Sequence, residues 1–119
     1  MNKFLPVVEH LVEVYKKWYL YYDHLPKKSR PVLGREIDCL FIQLLTLLFT
    51  AGYEKRNNKL LKLEKAIKKI DILKFFLRIA WEIKALDNKK YIALSKEVLE
   101  LGRMVGGWRK GLLKKLPQE

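Results

Sequence analysis

Between Leu5 and Asp23 the residues Val8, Leu11, Val12, Tyr15, Trp18, Tyr19 and Tyr22 recur every three or four positions. That period places them on one stripe of an α-helix, with Glu9, Glu13, Lys16 and Lys17 away from it. Pro6 falls in the first turn, where a missing N–H costs nothing. The next stretch, HLPKKSRP, is broken by Pro26 and Pro31 and reads as a linker. A second helix is expected from about Pro31 to at least Ala51. From Ile37 onward it is apolar almost all round, interrupted by Asp38, Gln43, Thr46 and Thr50. A helix oily on every side should be buried on more than one side.

The pattern breaks at Gly52 and again at Asn57 and Asn58, and a third helix is expected from about Lys59 to Leu86. Its first half sets Lys62, Lys65 and Lys69 on one face, with Lys55 and Lys59 leading into it. Its second half is apolar outside a stripe of Asp71, Lys74, Arg78 and Glu82, whose spacing puts them on a shared face. The tight connection LDNKK offers Asp87 or Asn88 as a helix cap. The fourth helix is expected from about Lys89 to Leu113 or beyond. Its core stripe is Leu94, Val98, Leu101, Val105, Trp108 and Leu112, and Pro117 closes the pattern.

Long helices with short connections imply an all-α, antiparallel up-down-up-down four-helix bundle, with residues 1–119 as a single domain. The second and third helices carry more apolar surface than one bundle seam needs. That surplus, including Phe75, Phe76 and Trp81, points to a homo-oligomer; the alternative is a monomer with a large core. The segment LGRMVGGWRKG adds a further hint, because a glycine inside a helix costs about 1 kcal/mol relative to alanine. Gly102 and Gly106 share a face that flanks the Leu101–Val105–Trp108 stripe. Another helix, of this chain or a neighbouring subunit, is expected to approach there. Gly107 lies toward Arg103 and Lys110, and core packing explains neither it nor Gly111.

Charge changes the picture most. The chain has 25 Lys and Arg against 13 Asp and Glu, a formal +12 over 119 residues. Residues 1–53 hold seven cations and five anions, whereas residues 54–119 hold eighteen and eight. Such an excess attracts polyanions, nucleic acid before membrane, because the apolar faces look committed to packing. The candidate nucleic-acid contacts are Lys27, Lys28 and Arg30 in the linker. Lys55, Arg56, Lys59, Lys62, Lys65 and Lys69 follow around the third helix, and Lys96, Arg103, Lys110 and Lys114 share one sector of the fourth. A solvated lysine surface is the plain alternative. The tyrosines of the first helix could stack bases, but most fall on its core stripe; Tyr21 is the exception.

Catalytic and metal chemistry find little support. His10 and Glu13 share a face, yet no second histidine stands at a ligand spacing. Cys39, the one cysteine, lies in an oily run and is expected in the core. No phosphate-cradling GxxxxGK[ST] occurs, and Glu36 and Asp38 point different ways on their helix. No enzyme activity, cofactor or metal is expected. The longest apolar run, Cys39 to Gly52, is too short to cross a bilayer, and no signal peptide is visible, so a cytoplasmic protein is expected.

LPKKSRPVLGREID, LEKAIKKIDILKFFLRIAWEIKALDNKKY and ELGRMVGGWRKG together resemble the accessory variability determinants of diversity-generating retroelements. The likeness covers nearly the whole chain. It is strongest at Pro26-Lys27-Lys28 through Leu33-Gly34, at Leu77–Ala80 and at Gly102–Trp108. The proteins encoded in intervening sequences of ribosomal RNA genes look similar in fold and share fewer of these motifs. The resemblance implies a homopentameric barrel without catalysis of its own. It also implies binding to the element's reverse transcriptase and, with little sequence preference, to RNA and DNA in support of mutagenic reverse transcription. The alternative is a nucleic-acid-binding bundle of the intervening-sequence type with no reverse transcriptase partner; a purely structural oligomer is a third reading. Pro31-Val32 departs from the pattern, which has an aromatic after the arginine, and this bears on how the second helix starts.

Overall fold

In a computed structural model, residues 3–115 are described, and Pro117 lies outside them. Helix α1 spans Phe4–Tyr22, α2 Arg35–Ala51, α3 Arg56–Glu82 and α4 Asn88–Lys114, with no strand among the described residues. Each helix packs on the next, and α1 also packs on α4, which closes a four-helix bundle. Phe4 at the start of α1 touches the rings of Phe49 near the end of α2 and Trp108 near the end of α4. The helices therefore alternate in direction. The α1–α2 and α3–α4 connections share one end of a body 50 Å long.

The core follows the helical period in each element. Val7, Leu11, Val14 and Trp18 are buried from α1, and Ile37, Leu40, Phe41, Leu44, Leu48 and Ala51 from α2. Leu63, Ala66, Ile70, Leu73, Leu77 and Ala80 come from α3, and Leu94, Val98, Leu101, Val105 and Trp108 from α4. The α4 stripe is the expected one, with Leu112 at its half-buried edge.

Two expectations about phase are corrected. On α1 the buried line runs through Val7 and Val14, so Val8, Val12, Tyr15 and Tyr22 are half-buried and Tyr19 is exposed. On α2 Cys39 is exposed, because burying Ile37, Leu40 and Phe41 turns it outward. Thr46 and Thr50 sit in this apolar helix by donating their hydroxyls to the carbonyls of Ile42 and Thr46.

The ends of the elements are set by local chemistry. Arg30–Gly34 forms a π-helical turn, in which the N–H groups of Gly34 and Arg35 reach back to the carbonyls of Ser29 and Arg30. Pro31 has no N–H to continue an ordinary α ladder, so the turn widens before α2 begins at Arg35. Gly34 is buried there, and a Cβ on it would lie 3.0 Å from Leu25 and 3.1 Å from Tyr22.

Helix α3 starts at Arg56 and ends at Glu82, earlier at both ends than its apolar pattern suggested. Lys84 takes a left-handed φ of 66°, Lys84 N–H bonds the Trp81 carbonyl, and Ala85 N–H bonds the Ala80 carbonyl. This is a Schellman stop, closed by the buried pair Ala80 and Ala85. Asp87 then caps α4, its carboxylate accepting the Lys90 N–H at 2.8 Å.

Candidate nucleic-acid interface

The antiparallel order of the helices decides which cations meet. The start of α3 lies beside the end of α4, where the Arg56 guanidinium donates to the Leu112 carbonyl at 3.3 Å. Lys55, Arg56 and Lys59 are thus brought to the same end of the bundle as Lys110 and Lys114. Lys27 and Lys28 stand at the opposite end, while Lys96 and Arg103 lie between along the outward side of α4. Lys27, Lys28, Lys55, Lys65, Lys96, Lys110 and Lys114 are exposed, Lys59 is half-exposed, and none of these has an ion pair among the described residues.

At this end of the bundle the cations of α3 and α4 sit in opposite helix-dipole fields. The first turn of α3 holds no acidic residue, and its N-cap, Lys55, makes no side-chain capping bond. Cations there face the positive end of the helix dipole, an arrangement that an anion relieves. Lys114, in the last turn of α4, sits favourably at a negative helix end.

Other expected contacts are held within the chain. Lys62 is turned toward α2, donating to Thr50 Oγ1 at 2.8 Å and pairing with Glu54 at 3.1 Å. Lys69 donates to Gln43 Oε1 across the same seam. The continuous basic face expected along α3 is therefore reduced to Lys55, Lys59 and Lys65. Arg30 folds back on the carbonyls of Leu25 and Asp23 and braces the linker. Arg103 pairs with Glu100 and Arg78 with Glu82, and Glu82 holds the Arg78 guanidinium above its ordinary pKa. Exposed Lys68, beside Lys65 near the Glu64–Arg109 pair, was not among the expected contacts. Only the fold shows that its face of α3 stays open to solvent.

Trp108 is 4% exposed and belongs to the core of its own chain. Phe75 and Trp81 are exposed and Phe76 is half-buried against the core. Gly102 faces Ile70, which a Cβ would meet at an ordinary 3.7 Å, and Gly106 faces open space. Among the described residues α3 thus comes to ordinary contact distance at Gly102, and no other helix of the chain does so at Gly106. A Cβ on Gly107 would come 3.8 Å from the Lys3 ammonium, on the basic side of α4.

Tyr21 is partly covered by the Lys90 ammonium, 5.8 Å from its ring centre. His10 bonds the Glu97 carbonyl and Glu13 pairs with Lys16, so these two do not form a site. Among the described residues no three His, Cys, Asp or Glu side chains gather as metal ligands, and no helix is long and apolar enough to cross a membrane.

Fold and surface together define a small, strongly basic, antiparallel four-helix bundle with unpaired cations at both ends. Residues 5–112 match the bAvd-like family, and the chain belongs to it. The bundle is also similar to a crystal structure at 1.70 Å of a protein of unknown function from the S23 ribosomal protein family of Bacteroides thetaiotaomicron VPI-5482. The TM-score is 0.81 at 15% identity, over 91% of this chain and 98% of that one, a likeness of fold. No curated protein matches the chain.

Proposed function

We propose that the chain is a non-enzymatic accessory protein of a diversity-generating retroelement. In this reading it acts in the cytoplasm as a homopentamer that joins the element's reverse transcriptase to template RNA and cDNA. Membership of the bAvd-like family supports the accessory role. The observation that carries nucleic-acid binding is the convergence of Lys55, Lys59, Lys110 and Lys114, without ion pairs among the described residues, around the first turn of α3, which holds no acidic residue. The exposed apolar residues Ile42 and Phe49 on α2 and Ile72 and Phe75 on α3 support assembly.

The test is an RNA titration at two salt concentrations beside co-purification with a reverse transcriptase encoded nearby. Affinity is expected to fall steeply with salt. Replacing the four lysines by alanine is expected to flatten that dependence by about 0.7–0.9 of a log–log slope unit for each phosphate no longer neutralised. Undetectable binding at low salt would sink the polyanion reading. A second reading is a nucleic-acid-binding bundle of the ribosomal intervening-sequence type; the S23-family structure shares the fold this reading needs. Salt-sensitive RNA binding with no transcriptase recovered would select it.

A further inference from the structure

We propose that Trp81, fixed on Tyr91 at the α3–α4 turn, is a stacking platform for an unpaired base of single-stranded nucleic acid; this rests on the nucleic-acid reading above. The indole lies parallel to the Tyr91 ring, with centroids 5.0 Å apart and 11° between planes. Tyr91 in turn packs against the core. The indole N–H donates to Asn88 Oδ1 at 2.6 Å. Stacking and hydrogen bond hold the ring before any ligand arrives, so little ordering cost remains for binding. Trp81 is nevertheless 38% exposed, whereas Trp18 and Trp108 are 0% and 4%.

The surroundings select the occupant. Trp81 borders an open cleft of about 690 Å³ with Lys84, Asp87 and Glu82 on its walls. Both carboxylates are already engaged, Glu82 by Arg78 and Asp87 by Lys90. Lys84 and Lys89 are exposed and carry no ion pair among the described residues, and Lys27 and Lys28 stand at the same end of the bundle. An aromatic face beside unpaired ammonium groups matches a base with its flanking phosphates. A duplex keeps its bases inside and offers the indole nothing to stack. Lys84 occupies the left-handed position of the helix stop, where glycine is the favoured residue, and it brings an ammonium group to the wall of this cleft.

The full chain is titrated with a labelled single strand of about ten nucleotides and with a duplex of about the same charge, at low and moderate salt. Single strand is expected to quench the emission of Trp81 and shield it from acrylamide. Trp81→Leu is expected to weaken single-strand binding about tenfold, with duplex binding held within about twofold, and Trp81→Phe to restore most of the affinity. Lys84→Gly is expected to raise thermal stability while flattening the single-strand salt dependence by about 0.7 of a slope unit.

Salt-sensitive binding that is the same in wild type and Trp81→Leu would overturn the platform and leave the broader reading standing. Absence of binding to either probe at low salt would overturn both. A change in assembled mass on Trp81→Leu, with single-strand affinity per subunit intact, would assign the indole to a subunit contact and overturn the platform. If Trp81→Leu does not fold, acrylamide quenching of the wild type decides, and unchanged quenching on adding single strand counts against the proposal.

Discussion

Asp38 ties α1 to α2 through two donors, the Tyr15 hydroxyl at 2.9 Å and the Trp18 indole N–H at 3.1 Å, both on the same carboxylate oxygen. Trp18 is fully buried, so removing the acceptor leaves its N–H without a partner. Asp38→Ala is expected to destabilise the fold by about 2–3 kcal/mol in urea unfolding. A variant within about 0.5 kcal/mol of wild type would show that water replaces the carboxylate. The same hydrogen bond acts on Tyr15, whose pKa is pushed up to about 12 by burial and then by its bond to Asp38. The folded chain therefore holds this proton where the unfolded chain has lost it. Tyr15 contributes stability below pH 10 that is lost as pH rises toward 12. In an ultraviolet titration Tyr15 is expected to ionise late, and Asp38→Asn to bring it earlier.

Between elements, the C-terminus of α2 meets the N-terminus of α1 at Gly52. A Cβ there would collide with the Phe4 ring, which also touches Phe49, Tyr53 and Trp108. Gly52→Ala is expected to cost about 1–3 kcal/mol, and the cost to shrink when Phe4→Ala is added. Strict additivity in that double-mutant cycle would refute the collision. Element types were legible in the sequence because they depend on local signals. Asp87 announces the start of α4, and its five deepest core residues recur with an unbroken period. Phase on α2 was not, because a helix apolar all round gives no polar face to orient it, and Cys39 was misplaced for that reason. The α3 stop was hidden because Ile83, Ala85 and Leu86 prolong the apolar run past Glu82. Its signal is a left-handed lysine, where sequence reading looks for glycine.

For the whole molecule, the excess of charge was legible and its distribution was not. Partners such as Gln43 for Lys69 lie on another helix, and no spacing along α3 reveals them. The Trp81–Tyr91 stack forms across a turn, outside any helical period. Gly106 is a probe of assembly, since among the described residues no side chain or other helix lies within 4 Å of a Cβ built there. Gly106→Leu is expected to raise subunit stability by up to about 1 kcal/mol through helix propensity. Assembled mass by light scattering is expected to fall if another subunit packs there; an unaltered mass would remove that glycine from the interface.

The placement of cations at both ends of the bundle also sets a ruler. Helices α3 and α4 are each 27 residues long, which corresponds to about 40 Å. A rigid duplex lying along the subunit must reach about 12 base pairs before it touches both ends. Below that length it engages one end and the cations between; above it, the contact with the second end becomes intramolecular and affinity should rise more steeply than in proportion to charge.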